Sequence, residues 1–125
     1  MLNILAVFIG GGVGSVLRYL SWLLVNISRF EAPAVATFVV NIFGSFVIGF
    51  CYIYFMNKID VPLHLRLFLT VGFCGGLTTF STFSLESLRF LQNGQYLYAF
   101  VYIFSSVIFC IGAAFAGGLV GKYFV

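Results

Sequence analysis

One run of this chain carries most of its chemical potential: Gly72-Phe73-Cys74-Gly75-Gly76-Leu77-Thr78-Thr79-Phe80-Ser81-Thr82-Phe83. Paired glycines followed by two β-branched threonines weaken a helix, the alternative being a glycine-threonine packing face on an unbroken one. An unwound turn there exposes carbonyl and N–H groups, and in a membrane these survive only when buried in protein or lining a polar path. A cluster of such carbonyls suits a desolvated cation, most simply Na⁺. Phe80 and Phe83 stand three apart and share a helix face. The positive edges of their rings would favour an anion without holding it tightly. Two aromatics on a membrane helix serve equally well as packing, and with 17 phenylalanines in the chain that alternative stays open.

Other polar groups are placed to join them. Asn41 is an amide deep in an apolar stretch, costly unless paired, and it can donate two hydrogen bonds to an anion. Tyr102, Ser106 and Cys110 recur at i+4 and form one stripe, two of whose members carry hydroxyls. Arg18 either snorkels or lines an anion vestibule. Glu86 sits toward a helix end, where it could pair with a basic residue. Interhelical hydrogen bonding is the alternative use for Asn41 and for the stripe.

The elements that position these groups must be membrane helices. The 125 residues are 62% hydrophobic and 7% charged, with a mean hydropathy of +1.16. Too few charges are present to cover the surface of a small soluble domain. A bilayer core takes about 20 apolar residues per helix. Charges and turn residues cut the chain into four such pieces, at about 2–27, 33–56, 64–91 and 96–123, within one domain spanning 1–125. The breaks are Ser28-Arg29-Phe30-Glu31, with Pro33 suited to a first helical turn, then Asn57-Lys58-Ile59-Asp60-Val61-Pro62, then Asn93-Gly94-Gln95. The apolar runs are too long and uninterrupted for barrel strands. The N-terminus lacks a basic signal-peptide region and reads as a retained first helix.

Topology follows from the cations. Four spans put Lys58, Arg66 and Lys122 on one side, and Arg29, Arg18 and Arg89 toward the other, three against three. Orientation normally follows an excess of Lys and Arg in one set of loops. Its absence points to copies inserted both ways and paired antiparallel, the alternative being a single orientation fixed by the unequal depths of these residues. Gly10, Gly11, Gly12 and Gly14, the stretch Gly44 to Gly49, and Gly112, Gly117, Gly118 and Gly121 supply small faces for close helix contact. Cys51, Cys74 and Cys110 read as packing thiols, with no disulfide expected. His64 reads as an interfacial residue, and no enzymatic constellation accompanies it. Six scattered basic residues make no nucleic-acid patch.

At this point the chain resembles the Fluc (CrcB) family of bacterial fluoride channels over essentially its whole length. The likeness rests on Gly10-Gly11-Gly12-Val13-Gly14 with Arg18-Tyr19, on Thr37-Phe38-Val39-Val40-Asn41, and on the Gly72–Phe83 run. It implies an all-α membrane protein whose third helix is broken at mid-membrane. It further implies an antiparallel, dual-topology homodimer in a bacterial inner membrane, with two fluoride pores. Fluoride would leave the cell passively, and a structural Na⁺ would sit at the dimer centre on the backbone carbonyls of Gly75 and Thr78. Phe80 and Phe83 would line the pores and Asn41 would donate to the ion, with Thr82, Tyr102 and Ser106 continuing the path and Arg18 in a vestibule. Cys110 stands where a hydroxyl is expected, and Ala36 where glycine is more usual. Two rivals are a proton-coupled fluoride antiporter, for which Glu86 is the one candidate relay, and a small multidrug-type exporter, which needs a membrane-embedded acid that the first helix lacks. A scaffolding role, with the polar residues as glue, is a third.

Overall fold

In a computed structural model, residues 1–27, 33–58 and 60–125 are described. The first interhelical break, with Arg29 and Glu31, and Ile59 of the second lie outside them. The described chain is all helical. Helix α1 spans Leu2–Ile27 and α2 spans Pro33–Asn57. A composite segment follows: α3 at Leu63–Leu67, a π-helical stretch at Phe68–Cys74, α4 at Gly75–Leu77 and α5 at Phe80–Gln92. Helix α6 closes the chain at Tyr96–Tyr123. Four stretches are long and apolar enough to cross a bilayer: α1, α2, Leu63–Gln92 and α6. Most large apolar side chains of α1 and α6 are exposed, which suits hydrocarbon as the solvent. The protein is a multi-pass membrane protein.

Two helix pairs build the scaffold, and glycines decide both. Helix α1 lies along the π-helical stretch and α4. A Cβ on Gly10 would strike the Phe68 carbonyl, one on Gly14 the Phe73 carbonyl, and one on Gly76 the Gly11 carbonyl. Backbones touch here because no side chain intervenes. Helix α2 packs on α6 in the same way, with Gly49 against the Ala114 carbonyl and Gly117 against that of Phe46. The remaining expected glycines are not alike: Gly12 and Gly112 face open space.

The α5–α6 turn is closed by a left-handed residue. Gly94 has φ 71°, the Gly94 N–H donates to the Leu91 carbonyl at 3.1 Å, and the Gln95 N–H donates to the Phe90 carbonyl at 2.9 Å. This reciprocal pair satisfies the last carbonyls of α5 and reverses the chain.

The composite third segment departs from a simple helix twice. Its π-helical winding over Phe68–Cys74 has no signature in the residue types. Its helical geometry stops at Leu77, and Thr78 and Thr79 are extended, at φ −80°, ψ 156° and φ −153°, ψ 117°. Gly75 and Gly76 stay helical. The threonines, not the glycines, interrupt the winding. Their hydroxyls compete for backbone partners, which is why such residues favour caps over helix interiors. The Thr78 hydroxyl and N–H both donate to the Cys74 carbonyl, at 2.8 and 2.9 Å. The Thr79 hydroxyl oxygen accepts the Thr82 N–H at 3.2 Å and so caps α5.

Candidate ion pathway

The extended pair is held from outside by one side chain. The Thr79 N–H donates to Asn41 Oδ1 at 2.8 Å, and Asn41 Nδ2 donates to the Thr79 carbonyl at 3.2 Å. The amide of α2 thus brackets one residue of the third segment, donor to acceptor and acceptor to donor. One of the two Asn41 amide hydrogens is engaged, so one is left for an ion rather than the two that its chemistry allows.

The bracket has a consequence for the carbonyls before it. In a continuous helix the Thr79 N–H would occupy the Gly75 carbonyl, and the Thr82 N–H that of Thr78. The first goes to Asn41 and the second to the Thr79 hydroxyl. The carbonyls of Gly75 and Thr78 are therefore relieved of their helical partners. Gly75 is exposed and Thr78 half-buried. Both line one cleft, of about 380 Å³, open along one flank.

That cleft gathers much of the expected pathway. Asn41, Phe80, Phe83 and Ser106 line it together with Gly75 and Thr78. The Phe80 and Phe83 ring centroids are 5.4 Å apart and tilted by 41°. Phe80 is 78% exposed. Ser106, 6% exposed, is buried on the opposite wall, and its Oγ has no hydrogen-bond partner among the described residues. A buried hydroxyl without a partner is uncommon in a folded protein. Cys110 follows Ser106 by one turn on the same wall, and Ser45 and Thr70 add hydroxyls that the sequence did not single out.

Three of the expected residues lie elsewhere. Arg18 and Thr82 line a separate hollow of about 250 Å³ between α1, α2 and α5, with Thr37 and Thr79. Thr79 borders both hollows and so stands between them. Arg18 has no ion-pair partner among the described residues there. Tyr102 turns away from the stripe it shares with Ser106 and lines a third hollow beside Phe38 and Phe90. Its ring still meets that of Phe83, at 5.3 Å.

Tyr102 turns because of Glu86. The carboxylate is 5% exposed. It accepts the Tyr102 hydroxyl at 2.7 Å and the Thr37 hydroxyl at 2.9 Å. The expected pairing with a basic residue is absent among the described residues, and the acid is buried rather than near solvent. Two hydroxyl donors from α2 and α6 satisfy it instead, one on each oxygen. The three residues join α2, α5 and α6 across 49 and 16 positions of sequence. No local pattern announces such a triad; a lone acid in an apolar helix was the one available signal.

Comparison with known proteins supplies the context. The family described as CrcB-like protein, Camphor Resistance (CrcB), matches residues 5–118. A "Fluoride-specific ion channel FluC" of Bacteroides fragilis is 47% identical, with 99% of each chain covered. Proteins of the same description in a Hydrogenobaculum species and in Campylobacter jejuni are each 44% identical, over 94% and 98% of this chain and 99% and 100% of their own. These relatives are described as ion channels, not as enzymes. With nearly all its length matched, the chain belongs to the CrcB-like family.

Proposed function

We propose that the chain is one subunit of a fluoride-selective channel of a bacterial inner membrane, through which fluoride leaves the cytoplasm passively. The observation that carries this reading is the cleft. It gathers the Phe80 and Phe83 rings, Ser106 with its unpartnered hydroxyl, and the Asn41 amide around one space. A small anion stripped of water needs several weak donors and no cation in direct contact along its path, so that it enters and still leaves. Phe80 and Phe83 supply positive ring edges, and Ser106 and Asn41 supply hydrogen-bond donors. Thr82, Tyr102 and Arg18 act at a distance from that space, Tyr102 by steadying the Phe83 ring and Arg18 as a cation at the neighbouring hollow. A membrane potential negative inside favours anion exit by about 2.3 kcal/mol per charge per 100 mV.

Two copies, inserted in opposite directions, complete the channel and give it two pores. The open flank of the cleft and the exposure of Phe80 support a partner there. The balanced cations of the two sides support the opposed insertion. The carbonyls of Gly75 and Thr78 fit a sodium ion at the dimer centre, because oxygens relieved of their helical partners beside the cleft suit a hard cation. Bound there, sodium supplies a fixed positive charge between the two copies. Residues of this chain do the rest: Asn41 and Thr79 keep the carbonyls turned outward, and the paired rings exclude water.

Glu86 keeps a second reading in view, a proton-coupled antiporter, since a buried carboxylate is the group such coupling needs. Its two hydroxyl donors favour a structural part instead. Purified protein in vesicles, followed with a fluoride electrode, separates the two. The channel releases fluoride at the same rate with and without a proton gradient. Release that stops when the gradient is collapsed supports the antiporter. A small multidrug-type exporter is disfavoured, because α1 contains no carboxylate.

A further inference from the structure

We propose that Asn41 is a positioning residue for the cation cradle, and that the anion wall and the cradle are one mechanical unit joined through it. The inference rests on the sodium reading above and goes beyond it. Its ground is a competition for one proton. The Thr79 N–H has two acceptors within reach of the chain: the Gly75 carbonyl, which a continuous helix offers, and Asn41 Oδ1, which takes it at 2.8 Å. The return bond from Asn41 Nδ2 to the Thr79 carbonyl fixes the residue at its other end. Without the bracket the favoured course of the backbone is to resume the helix and close the Gly75 carbonyl.

The same side chain faces the anion cleft, where its second amide hydrogen stands with Phe80, Phe83 and Ser106. Asn41 thus serves two sites at once. One half of its amide turns carbonyls toward the cation, and one hydrogen is left for the anion. Thermodynamic linkage follows: whatever stabilises the outward carbonyls also holds the amide in the cleft, and the reverse. Ser106 provides the contrast, for it lines the same cleft and has no hydrogen bond to the extended pair.

The test uses full-length protein in vesicles, with sodium replaced stepwise by a large organic cation. Fluoride release gives the sodium midpoint, and solid-state NMR of ¹³C-labelled protein gives the backbone shifts of Gly75 and Thr79. In Asn41→Ala the sodium midpoint rises about tenfold, within the usual range of coupling between sites, and the Thr79 shifts move toward helical values. In Ser106→Ala release slows, while the sodium midpoint and both shifts stay as in the unaltered protein. An Asn41→Ala protein with an unaltered sodium midpoint overturns the proposal, since Asn41 then acts on the anion alone.

Should Asn41→Ala fail to assemble, the unaltered protein decides: sodium moves the Gly75 carbonyl and Thr79 shifts with one common midpoint. A response at Gly75 with none at Thr79 overturns the coupling while leaving the sodium reading in place. Indifference of both release and shifts to sodium removes the sodium reading itself, and the proposal with it.

Discussion

Two stretches of the third segment face opposite demands. From Phe68 to Leu77 the backbone lies against α1 with glycine on both sides, and carbonyls stand where a Cβ would have to go. From Thr78 to Phe83 the chain opens, Thr79 turns its backbone groups to Asn41 of α2, and the Ser106 hydroxyl has no partner among the described residues. On its α1 side the first stretch is an anchor with no room. The second is a wall with room to spare. In a bilayer no water is at hand to satisfy a freed backbone group, so an opened turn needs a rigid neighbour to define it. The anchor lets two threonines stay extended without the rest of the helix unravelling.

The comparison predicts unlike responses to mutation. The largest is expected in the anchor: Gly14→Val sets branched carbon against the Phe73 carbonyl and the backbone of Gly76 and Leu77. Overpacking of this kind costs about 1–3 kcal/mol or more, and little folded protein should elute as a single species from size-exclusion chromatography. In the wall, Phe80→Ile and Phe83→Ile should assemble normally, yet release fluoride little faster than empty vesicles, because an aliphatic group has no positive edge to offer. Ser106→Ala should slow release about tenfold, in line with about 1.5 kcal/mol for a hydrogen bond to a charged partner. The smallest effect belongs to Gly12→Ala. Its Cβ meets open space, so thermal stability and release should both match the unaltered protein. A Gly12→Ala as damaging as Gly14→Val would erase the distinction between packed and unpacked glycines.

The sequence was legible where the signal is local. Apolar length marks the four spans, and the Gly72–Phe83 run points to the family. Phe80 and Phe83 share a face because they are three apart, and they lie 5.4 Å apart in the fold. Legibility fails where partners come from far along the chain. Asn41 reads as a donor to an anion or as a partner between helices, and only the fold brings Thr79 to it across 38 positions. Tyr102 reads as one with Ser106 by its spacing, but Glu86 draws its hydroxyl into another hollow. Glu86 itself reads as a helix-end acid, because nothing local shows two hydroxyls arriving from α2 and α6. The glycine pair and the threonine pair are adjacent, and propensity alone does not say which of them yields. Hydroxyl competition for the Cys74 carbonyl and the α5 cap decides for the threonines.

The central claim is that this chain forms a selective conduit for one small anion, and its most direct test is electrical. In a planar bilayer containing the purified protein, with unequal fluoride and equal pH on the two sides, current should flow and reverse at the voltage set by the fluoride gradient. Replacing an impermeant anion by chloride on one side, at constant fluoride, should leave that reversal unmoved. A current that reverses with the chloride gradient, or no current while vesicles exchange fluoride for protons, would contradict the account.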